Sequence, residues 1–480
     1  MNKLLIIISS ILLVSCSSLD SEKKQAIRMK SLADKENESK KYFQQYNNTL
    51  TLDRAIQLSV ERNLTLKTKT IEQEIAKLDR KIAFGNFLPK ISLGYSYTML
   101  NDKIMGEAKD AGLTGLPFNI NLPFNIGLET RLVDKNLSLF SVNAQMPIFV
   151  PATWFLYSAR QKGENISSLT RDLTEKMIKL QTIGQYHYIL ALESEKEYLK
   201  QELESAKEFN KSAKIALEAE AILPWEYEGT EQIVQMREYA LKQNARDLQS
   251  AKMSLMNNLD MYPLLDFQLE KPQYNEDVKM PTLEETIYEA LKNSELIQIR
   301  EGAEDISKDV TKIAISNFLP KIVLTGGYFN TSNAALTDPD FFMGTLGGMF
   351  SIFNGFQNVY EYKKARKNQE IAFIKREEEI MKVIFETVNA YNGLESSREE
   401  RNIALKNFAV NTGRFNQKKL EKETDSIDNW EYIQGVAEYE KALSLKEKAE
   451  YKYRVSLATL NMLTGKDIFA KGEKKDEKTK

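Results

Sequence analysis

The sequence predicts a mainly α fold with transmembrane β-strands, organised as two internal structural repeats. Three observations carry that expectation. The pentapeptide NFLPK occurs at 86–90 and again at 317–321, each time after a helix-like stretch and before a run that alternates apolar and polar residues. The flanking sequence repeats in the same register without a gap: Thr282 follows Thr51 by 231 residues (282 − 51), and the second NFLPK follows the first by as much (317 − 86). Long helical stretches, from about Trp154 to Met261 and from about Val359 to Leu463, make up most of the remainder, each with one polar break.

Composition narrows the function classes. The 480 residues are 42% hydrophobic and 28% charged, with 21 Gly and 11 Pro, as expected of an ordered, helix-rich chain. A formal net charge of −2 argues against nucleic acid as partner. One Cys excludes disulfides within the chain, and one His removes most zinc sites and His-based catalysis. Residues 1–15 read as a signal peptide, with Lys3 before the apolar run 4–14. The sole cysteine, Cys16, ends Leu13-Val14-Ser15-Cys16, which resembles the bacterial lipobox and makes Cys16 the expected lipid attachment site. Ser17 after it is compatible with the outer membrane. Residues 16–50 follow as a polar, Lys-rich tether.

Repeat 1 spans 51–266 and repeat 2 spans 282–466, joined by a linker at 267–281. Each opens with a threonine, Thr51 or Thr282, placed to cap a helix. Ile71, Ile75, Leu78 and Ile82 then recur at helical spacing, one apolar stripe that stops at the motif. Pro89 and Pro320 disfavour helical angles in the preceding residue and so mark helix-to-strand turns. Beyond them the period becomes two: Ile91, Leu93, Tyr95, Tyr97 and Met99 point one way, while Ser92, Gly94, Ser96 and Thr98 point the other. Strands are expected at about 91–100, 138–148, 321–330 and 343–353. After each strand pair comes a helical hairpin, broken near ILPWEYEG and EKETDSIDNW. The first arm, roughly 155–220, would extend about 100 Å, too long for a globular core. The tail, 467–480, has nothing to bury and reads as disordered.

Ten-residue strands are long enough to cross a bilayer when tilted. In lipid a sheet must leave no unpaired edge, and four strands cannot close on themselves. If the strands enter a membrane, several chains must therefore share one barrel. Two would give eight strands and a packed interior; three would give twelve and room for a channel.

The order of these features resembles the outer-membrane efflux protein family typified by the TolC channel. The likeness rests on the duplication, on NFLPK before strands one and three, on SIFNGFQNVYEYKKAR after strand four, and on AEYEKALSLKEKAEYKYRVSLATLNMLTG at 437–465. It implies a homotrimer with a shared 12-stranded β-barrel and an α-barrel tunnel in the periplasm. It also implies a periplasmic adaptor and an inner-membrane efflux pump or ABC exporter as partners, with neither enzyme activity nor cofactor. The family's acidic constriction at the hairpin tips maps onto Glu431 and Gln434, with Asp425 and Asp428 just before them at the bend. The family pattern is incomplete: MPIFVPATW keeps Pro147 but lacks glycine, and Ser351 stands in place of a proline before Asn354-Gly355. The loop at about 101–137, with LPFNI twice, is expected to be mobile or an extended hairpin.

No catalytic constellation is present in the sequence. His187 lies seven residues beyond Leu180 and fourteen beyond Leu173, a packing position. A second reading remains open at this point, a lipid-anchored periplasmic coiled-coil adaptor or structural protein without a barrel.

Overall fold

The computed structural model describes residues 21–107, 129–274, 280–333, 336 and 338–466. The expected signal peptide, Cys16 and the C-terminal tail lie outside these residues. In chain order the elements are α1 (Ser21–Gln44), β1 (Thr49–Leu50), α2 (Leu52–Arg62), α3 (Leu64–Gly85), β2 (Lys90–Met99), β3 (Ile104–Glu107), β4 (Glu129–Val133), β5 (Asn136–Phe149), α4 (Pro151–Glu218) and α5 (Pro224–Asn258). The second half adds β6 (Gln268–Leu269), α6 (Leu283–Asn293), α7 (Glu295–Ser316), β7 (Lys321–Thr331), β8 (Asp340–Met349), α8 (Gln357–Glu423) and α9 (Asn429–Thr464). The chain divides into two compact units, one of residues 1–71, 170–297 and 379–480, the other of residues 72–169 and 298–378.

The first unit is built like a water-soluble protein. Phe43, Leu50, Ile56, Tyr186, Ile189, Leu255, Met256 and Phe267 are almost fully buried in one cluster. Two-residue strands β1 and β6 pair in parallel, Thr49 with Gln268 and Leu50 with Leu269. The Tyr186 hydroxyl ties that pair down, lying 2.8 Å from the Leu50 carbonyl and 2.6 Å from that of Glu270. Burial holds its pKa far above the ordinary tyrosine value.

Two local features depart from the sequence reading. Residues 21–44 form a helix docked by side chains: Glu38 accepts from Arg62 at 2.7 Å, Ser39 Oγ accepts the Tyr262 amide at 3.0 Å, and the Phe43 ring lies 5.4 Å from that of Phe267. The single helix expected at the start of each repeat is two. Asn63 Oδ1 accepts the amides of Thr65 and Leu66, so α3 begins with its own cap immediately after α2. Its amide donates in turn to Asn258, at 2.9 Å. At the equivalent place in repeat 2, Ser294 Oγ accepts the Ile297 amide and starts α7. Thr51 and Thr282 cap α2 and α6 through the amides of Arg54 and Glu285.

The second unit holds a four-stranded antiparallel sheet in the order β2-β5-β7-β8. Register runs from Lys90 with Gln145 to Met99 with Asn136, from Phe149 with Ile322 to Leu139 with Thr331, and from Lys321 with Met349 to Asn330 with Asp340. A bulge at Pro147–Phe149 accommodates the proline, which has no amide to give the ladder. The fourth strand ends at Met349 rather than 353, because its partner β7 begins at Lys321; beyond it Gly355 and Phe356 take left-handed φ of +68° and +64° to turn into α8. Part of the long loop at 101–137 is strand, with β3 and β4 paired antiparallel.

Helices below the sheet are held by buried charge pairs. Asp309 on α7 accepts from Lys162 Nζ at 2.6 Å and Ser158 Oγ at 2.7 Å, both on α4. Burial alone would raise this carboxyl, but those two partners hold it below the usual aspartate range. Arg376 on α8 donates to Glu304 on α7 at 2.7 Å, and Arg80 on α3 pairs with Glu164 on α4.

Candidate functional site

The sheet has two chemically different faces. Cross-strand register places Ile91, Leu93, Tyr95, Phe140, Val142, Leu324, Tyr328, Phe342 and Leu346 on one of them. The other carries Ser92, Ser96, Ser141, Asn143, Gln145, Thr325 and Thr345, interrupted by Leu139, Val323, Phe329, Phe341 and Met343. On β2 the apolar side chains from Ile91 to Met99 are 57–73% exposed. Among the described residues nothing covers that face.

Both ends of the sheet are also open. Among the described residues the outer edges of β2 and β8 pair with no other strand. The helices continuous with those edge strands carry uncovered apolar stripes of their own. Ile71, Ile75, Leu78 and Ile82 on α3, which leads into β2, are 52–69% exposed; Ile371, Ile374, Met381 and Phe385 on α8, which leaves β8, are similarly bare.

Pro89 and Pro320 each sit between a helix end and a strand start. At both, three successive i to i−3 bonds close the turn: Asn86, Phe87 and Leu88 donate to Ala83, Phe84 and Gly85, and Asn317, Phe318 and Leu319 to Ala314, Ile315 and Ser316. The repeated motif thus encodes a repeated turn.

At the opposite ends of the long helices the two hairpins finish alike. Ala221 donates to Ala216 and Glu220 to Leu217; Ser426 donates to Glu421 and Asp425 to Lys422. Glu220 and Asp425 take the left-handed position, φ +54° and +51°, where glycine is usual. Asp428 is the N-cap of α9, and its amide donates to the Glu431 carboxylate at 3.3 Å. Glu431 therefore doubles as a capping residue. Gln434, one turn further along α9, lines a cleft of about 420 Å³ between the hairpins with Tyr198, Phe209, Arg237, Trp430 and Lys441.

His187 is buried. Its Nδ1–H donates to the Ile183 carbonyl at 2.7 Å, and Nε2 accepts from the Tyr274 hydroxyl. Desolvation is the main cause of a pKa lowered to about 4, so the ring is neutral at physiological pH and serves packing. Among the described residues no group of three or more His, Cys, Asp or Glu is placed to hold a metal. Among them, too, no helix is long and apolar enough to cross a membrane.

No family model matches the sequence, and no curated protein matches it. Solved structures do. The CmeC outer membrane channel of Campylobacter jejuni superposes with a TM-score of 0.70 at 16% identity, over 86% of this chain and 85% of that one. The open-state MtrE outer membrane channel of Neisseria gonorrhoeae gives 0.65 at 15%, over 87% and 89%. The outer membrane protein VceC of Vibrio cholerae gives 0.64 at 11%, over 87% and 97%. The chain has the fold of these outer membrane channels, along nearly its whole length.

Proposed function

We propose that this chain is one subunit of an outer-membrane export channel, in which three copies pool their strands into one twelve-stranded barrel. The carrying observation is the four-stranded sheet, with an exposed apolar face, a second face that gathers its Ser, Thr and amide side chains, and edges that no other strand among the described residues pairs with. Each unpaired edge would cost several kcal/mol per backbone group in lipid, so β8 of one copy must pair with β2 of the next. The bare stripes on α3 and α8 adjoin those same edges and bury against each other across the same seam. Ser92, Asn143, Gln145 and Thr325 need water, which a filled eight-stranded barrel lacks and a twelve-stranded one contains. The solved channels of this fold support the same reading.

Transport on this account is passive and without catalysis. The hairpins form a tunnel that receives cargo from a periplasmic adaptor and an inner-membrane pump. Lipid on Cys16 anchors the chain, with the helical tunnel in the periplasm. Asp425, Asp428, Glu431 and Gln434, at or near the tip of the second hairpin, form the narrow entrance, where threefold repetition gathers carboxylates that favour cations. A barrel-free adaptor would have no use for a bare apolar sheet face. Reconstitution into planar bilayers tests the proposal: stepwise cation-preferring conductance is expected, and protein that inserts but never conducts refutes it. Crosslinking in cells should capture an inner-membrane transporter.

A further inference from the structure

The polar face of the sheet carries one feature that its polarity does not explain. A single cross-strand row reads Gly94, Ser141, Phe329, Phe341 across β2, β5, β7 and β8. The two rings are stacked, centroids 5.3 Å apart and planes 20° from parallel. Phe329 leans back along β7 over Gly327, where an added Cβ would lie 3.1 Å from ring atom Cε2 and 2.8 Å from the Val142 carbonyl oxygen. Glycine is needed at 327 for the ring to lie there. Beside this aromatic wall the floor is small: Ser92, Gly94 and Ser96 on β2, with Ser141 covered at the foot of the wall. Asn143 donates to Ser141 Oγ at 3.0 Å and turns its own Oδ1 toward Gly327. Two strand spacings, about 10 Å, separate β2 from the aromatic strand β7.

We infer that this row is a contact site for planar aromatic cations passing through the pore. A stacked ring pair offers a π surface that attracts both flat rings and positive charge, and the Asn143 carbonyl adds an acceptor at its base. The glycine and serine floor leaves the room a flat molecule needs. The inference rests on the channel reading, because that reading makes this face the lumen; in the assembled barrel β8 of the next copy borders the open side, giving three such slots.

Ethidium is a suitable probe. In planar bilayers it should block the wild-type current, and Phe329→Ser/Phe341→Ser should weaken that block about tenfold. Tyr328→Ser/Phe342→Ser, on the opposite face, should leave it unchanged. If the first pair fails to assemble, Ser141→Leu, which fills the floor, takes its place with the same expectation. Equal block in wild type and these slot variants overturns the inference while leaving the channel intact. Absence of any conductance instead refutes the channel; fluorescence titration of ethidium against detergent-solubilised protein then decides the slot alone, and equal affinity for wild type and variant overturns it.

Discussion

The two units of the molecule place their apolar residues in opposite ways. In the first, Tyr186, Ile189, Leu255 and Leu259 are shut away from water, and the buried Asn63 and Thr182 side chains meet hydrogen-bond partners on Asn258. In the second, the apolar side chains of β2 from Ile91 to Met99, with Phe342 and Leu346 of β8, lie exposed on one face, and the serines and amides share the other with the Phe329 and Phe341 rings. A single chain thus contains one part that folds against itself and one that leaves an apolar face and two strand edges uncovered among the described residues. Lipid suits the outward face, further copies suit the edges, and water suits the polar face.

Equal truncations on the two sides should separate these regimes most clearly. Leu255→Ala leaves a cavity in a fully buried cluster and should cost about 2–5 kcal/mol by denaturant unfolding. Leu93→Ala removes as many atoms from an exposed position, and lipid or detergent refills the space, so its cost should be well under half of that. Comparable losses at both sites would break the comparison.

Charge should sort the two faces of one strand. Leu93→Arg should destabilise the barrel by roughly 2–4 kcal/mol and reduce outer-membrane assembly, whereas neighbouring Ser92→Arg should assemble normally. Heat-modifiable oligomer on gels reads both.

Acid should act on the first unit through the chain's one histidine. His187 takes up its proton near pH 6.5 when unfolded but only near 4 when folded, so falling pH favours the unfolded state. Between pH 7 and 5 the unit should lose about 2 kcal/mol of stability. His187→Phe should remove that part of the pH dependence in thermal melts; an unchanged slope would mean that the ring titrates normally.

The smallest expected effect is at the tip. Glu431→Gln keeps an acceptor for the Asp428 amide, so α9 should lose no more than about 1 kcal/mol. Cation preference in bilayers should fall if the carboxylate faces the entrance, and should persist if its only role is to cap the helix.

The legible and illegible parts of the chain follow from where the information lies. Alternation on β2 and β5 and the prolines at 89 and 320 are local, and the strands and turns stand where they point. The cap at Asn63 is local as well, but no Pro or Gly marks it and the apolar stripe runs on through α3, so the break between α2 and α3 left only the asparagine itself as a sign. Strands β1 and β6 are too short to show a period, and they form because Tyr186 and the surrounding cluster hold them together. Charged α1 reads as a tether until Phe43 meets Phe267. The cleft that takes up Gln434 arises where two hairpins meet, some two hundred residues apart, which no local pattern encodes. The slot beside Phe329 is equally hidden, since its row is defined by register across four strands.

If several copies share one barrel, they should leave the membrane as one particle. Native mass spectrometry of the detergent-extracted full-length protein tests it directly. A particle of three 55.1 kDa chains, less any processed leader, is expected and should persist at low concentration. A stable single chain with its sheet edges protected from amide exchange would contradict it.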